Sequence, residues 1–231
     1  MTNKVSKRKK TINGLVTANK EYDIKEAVAI LKKAPVTKFD QTVEVSMHLA
    51  IEQSTNPIRG TVTLPHGTGK TTKVAVFCKG DFENQAKAAG ADFVGADDLI
   101  KKVQEGWTGF DVAVATPDMM KDMARLGKVL GPRGLMPNPK SGTVTTDIGK
   151  AVKELKAGKI EYRMDKQSGV ACAVGKLSFS EDQLEENITS FIKAVMLSSP
   201  KLHKIQNVKV LAVSTTMGPG VKLDKEQFRV S

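Results

Sequence analysis

The chain has 231 residues, 40% of them hydrophobic, enough for one large or two small cores. No run approaches the roughly 18 apolar residues of a membrane span, so no membrane partner is expected. The formal net charge of +11 favours a polyanion such as nucleic acid over acidic small molecules, the plainer alternative being a protein that is basic only for solubility.

From Met1 to Lys20 the chain carries Lys4, Lys7, Arg8, Lys9, Lys10 and Lys20 and no acid. No signal-peptide apolar stretch follows, so the protein is expected in the cytoplasm and this start is expected to be a flexible tail, with RNA contact as the sharper option. Asp23 and Glu26 have capping-box spacing and open a helix over 24–33 that Pro35 ends. Lys38 and Phe39 pair a cation with an aromatic, suited to a phosphate and a stacked base, although Phe39 would equally serve as core. From Gln41, Val43, Val45, Met47, Leu49 and Ile51 alternate with Glu44, Ser46, His48 and Glu52, the pattern of a half-buried strand. Residues 58–64 read as a second strand.

The middle changes style. Short apolar runs at 73–78, 92–94 and 110–115 alternate with helical patterns at 81–89 and 96–105, and further helices are predicted at 117–126 and 147–157. Strands alternating with helices indicate a parallel sheet of βαβ units, a Rossmann-like domain. Residues 127–145, GKVLGPRGLMPNPKSGTVT, have no steady period and carry Lys128, Arg133 and Lys140 without a carboxylate. They read as a shaped loop, against the plainer reading of a long surface connection.

After Gly158 alternation returns, with Ile160, Tyr162 and Met164 opposite Glu161, Arg163 and Asp165, and 170–178 expected to pair back on it. Ser180 and Gln183 cap a helix that carries Leu184, Ile188, Phe191, Ile192 and Val195 on one face. A buried strand over 208–213 follows. The loop STTMGPG at 214–220 offers hydroxyls and backbone amides to phosphate or 2′-OH groups and Met217 to a sugar or base face, or else is a plain turn.

The two ends share one style and the middle another. The expected fold class is therefore α/β with two domains: a discontinuous α+β terminal domain (1–66 and 159–231) with an antiparallel sheet, and an inserted Rossmann-like domain (67–158) with a parallel sheet. Gly67, Gly69 and Gly158 would act as hinges. The acid-free stretches 1–20, 53–80, 123–146 and 187–223 suit phosphate contact and salt-dependent binding. Aromatics form only 5% of the chain, so folded RNA read by shape fits better than a platform stacking many bases.

Competing chemistries fare poorly. GTGKT at 67–71 lacks the first glycine of a P-loop, since Leu64 stands there, and a strand follows it where a P-loop opens a helix. CKGDFENQ after the first middle strand holds one glycine and no dinucleotide fingerprint. No triad or carboxylate pair stands out, so neither a catalytic residue nor a cofactor is expected. Cys78, Cys172, His48, His66 and His203 show no metal-ligand spacing, and no disulfide framework is read. A nucleotide-dependent enzyme and a non-specific nucleic-acid binder remain the rival classes.

Four segments, TKFDQTVEVSMHL, RGTVTLPHGTGK, GKVLGPRGLMPNPKSGTVT and TTMGPGV, resemble in that order the bacterial ribosomal protein L-one family, which forms the mobile stalk of the large subunit. The resemblance implies that the terminal domain binds large-subunit rRNA and that the inserted domain binds no nucleotide. It places Lys38, Phe39, Asp165, Lys166, Thr216, Met217 and Gly218 where the family contacts RNA. Lys166 is then a phosphate ligand, Thr216 and Gly218 are close hydrogen-bonding contacts, and Asp165 orients Lys166 or accepts from a ribose hydroxyl. Arg133 and Lys140, in the inserted domain, are secondary candidates for RNA or passing tRNA. The family often shows a glycine two residues after this lysine, whereas here Gln167 and Ser168 precede Gly169. The implied partners are large-subunit rRNA, the exit-site tRNA whose deacylated form it helps to release, and its own operon mRNA, whose translation the free protein represses. It would be a monomer when free and otherwise part of the ribosome.

Overall fold

The computed structural model describes residues 7–17, 20–35, 37–50, 58–199, 202 and 205–228. The chain divides into two compact units, Met1–Gly69 with Glu161–Ser231, and Lys70–Ile160. The fold is mixed α/β, with an antiparallel sheet in the first unit and a separate parallel sheet in the second.

In the first unit, β1 (Thr42–Leu49) is central. It pairs antiparallel with β7 (Gly169–Lys176) on one side and β8 (Val208–Thr215) on the other, and β8 pairs with β9 (Gly220–Lys222). Because side chains alternate across a strand, Val43, Val45, Met47 and Leu49 all point inward and are buried, whereas Glu44 and Ser46 are exposed. Ile51 and Glu52 lie outside the described residues. The buried face is covered by α2 (Ile24–Lys33) and α8 (Glu181–Leu197). The predicted apolar face of α8 is buried in full, and its capping box forms, Ser180 accepting from the Gln183 amide and Gln183 from the Ser180 amide.

The structure corrects several expectations. Asp23 occupies the N-cap of α2 but its carboxylate caps nothing. The entry to the helix is fixed instead by Tyr22, whose amide donates to Lys222 O and whose carbonyl accepts from Asp224. The strand at 169–176 pairs with β1, while β6 (Lys159–Arg163) pairs with β2 (Arg59–Thr63) in a two-stranded sheet of its own. Strand β8 is not buried throughout: the register slips between His48 and Leu49, making Lys209 an extra residue in a bulge, and Val210 faces outward opposite His48. Within the basic start, Lys7–Leu15 forms a helix, α1; residues 1–6 lie outside the described residues.

In the second unit, β3 (Val74–Phe77) lies between β4 (Phe93–Gly95) and β5 (Val112–Ala115), all parallel. Both faces of β3 are covered, as its unbroken apolar run requires. Ala75 and Phe77 pack with α4 (Asp97–Gln104) and the segment after β5. Val74 and Val76 pack with α3 (Asp81–Ala88) and α7 (Ile148–Lys156). The predicted helix at 117–126 is a succession of short turns, 3₁₀ at Pro117–Met119, α5 (Met120–Met123), 3₁₀ at Ala124–Leu126 and α6 (Gly127–Leu130). Met119, Met123, Leu126 and Leu130 bury one side of that path. Helical structure thus runs four residues into the segment expected to be loop throughout.

Candidate nucleic-acid interface

Among the seven residues implied to contact RNA, the fold gathers five and separates two. The turn joining β8 to β9 carries Thr216, Met217 and Gly218, and it is hydrogen-bonded to the residues that follow Phe39. Gln41, 1% exposed, accepts the Met217 amide through its side-chain oxygen at 2.9 Å. The Thr42 amide donates to Thr216 Oγ1 at 3.1 Å, and the Thr216 amide donates to Thr42 O at 3.1 Å. Lys176 Nζ donates to Thr42 Oγ1 from the other flank at 2.9 Å. With its backbone fixed in this way, Met217 is left 52% exposed, and Phe39, which would have served equally as core, is 53% exposed. Gly218 is required by a close approach: a Cβ there would collide with Thr215 Oγ1.

Lys38 and Phe39 also rim an open groove of about 610 Å³ whose wall includes Lys32, Asp40 and Ser178. Asp40 holds that wall, Oδ2 accepting from Ser178 Oγ at 2.7 Å and Oδ1 from the Ser178 amide at 3.2 Å.

Asp165 and Lys166 sit at the other end of the sheet, in the turn that leads into β7, beside Leu49. Seven residue steps along β1, about 24 Å at about 3.4 Å each, separate the Thr42 and Leu49 ends. The Asp165 and Lys166 side chains are both exposed. Asp165 has a structural task, because Oδ1 accepts the amides of Gln167 at 2.8 Å and Gly169 at 2.7 Å, the bonding of an Asx turn. Ser168 supplies the glycine-like bend with φ 61°, a left-handed conformation uncommon outside glycine. Its carbonyl accepts from Leu49 at 2.9 Å, tying the turn to the sheet.

Between these two clusters lies the outward face of the sheet. Cross-strand rows run Ala173–Glu44–Ser214–Gly220, then Ala171–Ser46–Ala212–Lys222, then Gly169–His48–Val210. Small residues dominate the rows, leaving a low surface that a sugar–phosphate backbone could approach closely.

In the second unit, Arg133 and Lys140 are both exposed, and Arg133 donates to Thr108 Oγ1. The loop around Lys140 is built by Asn138, whose Oδ1 accepts the Lys140 amide at 2.9 Å and whose own amide donates to Thr143 Oγ1 at 2.8 Å. Val144 bridges in parallel to Ala115, anchoring the loop to the edge of β5.

The three glycines expected as hinges all take left-handed φ, 64° at Gly67, 71° at Gly69 and 102° at Gly158. Gly67 is held within the first unit by the buried Asn187 of α8: Nδ2 donates to Gly67 O at 2.9 Å and to Val174 O at 2.8 Å, while Oδ1 accepts from the His66 amide at 3.1 Å. Sequence reading missed Gln41, Thr42 and Asn187, because their work is done by long-range hydrogen bonds that no local pattern announces.

Cys78 and Cys172 are free thiols, both pushed up to about 11 by burial, so neither is a ready nucleophile at neutral pH. Among the described residues, no group of three or more His, Cys, Asp and Glu side chains is arranged to hold a metal ion, and no helix is long and apolar enough to cross a membrane.

Fold and surface together define a basic two-domain α/β protein whose main sheets are a four-stranded antiparallel one and a three-stranded parallel one. The chain belongs to the ribosomal protein L1p/L10e family, whose model matches residues 31–219. It is 55% identical over 221 residues to a large ribosomal subunit protein uL1 of Protochlamydia amoebophila, covering 95% of this chain and 94% of that protein. The proteins of the same name from Chlorobium luteolum, 54% identical over 92% of this chain and 94% of theirs, and Kosmotoga olearia, 49% identical over 97% and 98%, are similar along the same length.

Proposed function

We propose that this protein is a structural constituent of the large ribosomal subunit that binds the rRNA of the mobile stalk through its antiparallel-sheet domain. Its relatives are named for the large subunit. The observation that carries the RNA reading is the fixed exposure of Phe39 and Met217. Two large apolar side chains are held out of the core on neighbouring segments, the backbone of one bound through buried Gln41. Such groups pack on sugars and bases of a folded RNA, with Lys38 and Lys166 on phosphates and Thr216 and Gly218 in close polar contact. The small-residue face between the clusters lets one RNA reach both.

The reading extends, by family resemblance, to release of deacylated tRNA from the exit site and, for free protein, to repression of its own operon mRNA. In the inserted domain Arg133 and Lys140 are the candidates for RNA or tRNA contact. Domain motion would turn on Gly69 and Gly158, with Gly67 held by Asn187.

The test is a salt-series titration with a large-subunit stalk RNA fragment, an unrelated folded RNA of equal length, and ATP. Tight, stalk-selective binding that persists at high salt is expected. Equal binding of both RNAs that collapses with salt would reduce the function to electrostatics, and binding of ATP alone would overturn it.

A further inference from the structure

Helix α1 has no role in the site as described. Of its first four residues, Lys7, Arg8, Lys9 and Lys10, all are basic, and the helix contains no acid. A nine-residue helix of this composition is not stable alone, and its burial pattern shows what holds it. Arg8, Ile12 and Leu15, spaced i, i+4 and i+7 on one face, are half-buried, whereas Lys7, Lys9, Lys10 and Thr11 are exposed. On the inner face Arg8 Nη2 donates to Met217 O at 3.3 Å. Beyond the helix, the Thr17 amide donates to the Tyr22 hydroxyl at 2.9 Å. The helix is therefore anchored at one end to the Met217 turn itself, with its lysines directed to solvent beside that turn.

We propose that α1 is a phosphate clamp: Lys7, Lys9 and Lys10 engage the backbone of the same RNA that packs on Met217, and Arg8 serves as the positioning residue that seats the helix. The inference rests on the RNA reading above. The occupant follows from charge and continuity, since an acid-free cationic surface contiguous with an RNA-contact turn is complementary to that RNA's phosphates and to no apolar partner. Recognition here is sequence-independent, so the clamp adds affinity and salt dependence without adding selectivity.

Two variants of the full chain test it against the stalk RNA fragment and the unrelated folded RNA. The triple variant Lys7→Gln, Lys9→Gln, Lys10→Gln is expected to lower the slope of log affinity against log salt by about 2 to 3, and to weaken both RNAs by the same factor, about tenfold to a hundredfold at moderate salt. Thr11→Pro keeps every charge but breaks the helix by removing the bond to Lys7 O, and is expected to show a large part of the same loss. An unchanged slope in the triple variant overturns the clamp. A full wild-type slope in Thr11→Pro also overturns it, since a loose tail would then suffice. Met217→Asp separates the two readings: if it abolishes stalk selectivity while the lysine variant changes nothing, the clamp alone fails, and if the wild type itself shows no stalk selectivity, the RNA reading fails.

Discussion

Gln41 and Met217 are joined by one hydrogen bond, from the Met217 amide to the Gln41 side-chain oxygen at 2.9 Å, and this bond connects a buried strand end to an exposed turn. A buried side chain that accepts from a turn amide restricts the turn's conformations before any partner arrives, so less order has to be imposed on binding.

Gln41→Leu removes the acceptor at similar volume and leaves the Met217 amide without it. The expected cost is about 1 to 3 kcal/mol of stability, together with about a tenfold loss of stalk RNA affinity from the loosened turn. Phe39→Ala and Met217→Asp make the complementary pair. Both side chains are more than half exposed, so stability should stay within about 0.5 kcal/mol while RNA affinity falls. Denaturant unfolding and RNA titration on the three variants check this, and a large stability loss in Phe39→Ala would return that residue to the core.

Two glycines should respond to alanine with opposite signs. At Gly60 in β2 a Cβ would strike the ring and hydroxyl of Tyr162. That ring is fixed edge-on against Phe191 and by its bond to Ala194 O at 3.1 Å. Gly60→Ala is expected to destabilise the first unit by about 2 kcal/mol through overpacking. At Gly149, in the first turn of α7, a Cβ meets nothing within 4 Å, and Gly149→Ala is expected to stabilise the second unit by about 0.5 kcal/mol through helix propensity. Thermal unfolding of each variant reads both.

The parts of the fold that were legible are those where one local period coincides with one buried face. Val43 to Leu49 alternate because a single face of β1 is covered, and Ser180 with Gln183 announces α8 because both partners of the box lie within one turn. The partner of β7 was not legible, since β7 pairs with β1, far earlier in the chain, rather than with the adjacent β6. Nor was the path over 117–130, where Pro117 and Gly127 interrupt the period while Met119, Met123, Leu126 and Leu130 still bury one side. For the candidate site, residue types such as the Lys38–Phe39 pair and the TTMGPG turn could be read. Their grouping could not: Thr216 to Gly218 join Lys38 and Phe39 through Gln41 and Thr42, and Asp165 with Lys166 lies at the far end of β1. Asp165, read as a partner for Lys166 or ribose, also braces its own turn through Oδ1.

The Asn187 side chain makes three hydrogen bonds, all to backbone, at His66, Gly67 and Val174. Asn187→Leu keeps the volume and leaves one amide and two carbonyls without these bonds, so a loss of about 3 kcal/mol or more is expected. Hydrogen exchange should show the change locally, with the His66 amide losing protection ahead of the strands of the sheet. Protection at His66 equal to that of the wild type would show that Asn187 does not hold this turn.

Acid should weaken the second unit through two aspartates that hold the start of β3. Asp111 is lowered from its ordinary 3.8 first by the Lys70 ammonium, at 2.5 Å, and then by the Lys73 amide, at 3.0 Å. Asp92 is lowered first by the Val74 amide, at 2.9 Å, with Lys156 Nζ at 3.3 Å adding to it. A carboxyl whose pKa is lower folded than unfolded stabilises the folded state above the unfolded value, and that contribution is lost as pH falls through the folded value. The stabilisation is therefore expected in full at neutral pH, to decline once pH drops below about 4, and to be absent at lower pH where both forms are protonated. Asp92→Asn and Asp111→Asn should each lower stability at pH 7 and flatten the acid limb, so that variant and wild type draw together as pH falls. Unfolding measured from pH 7 to pH 2 checks the sign, and a variant that runs parallel to the wild type across the whole range would show that the residue's charge does not stabilise the fold.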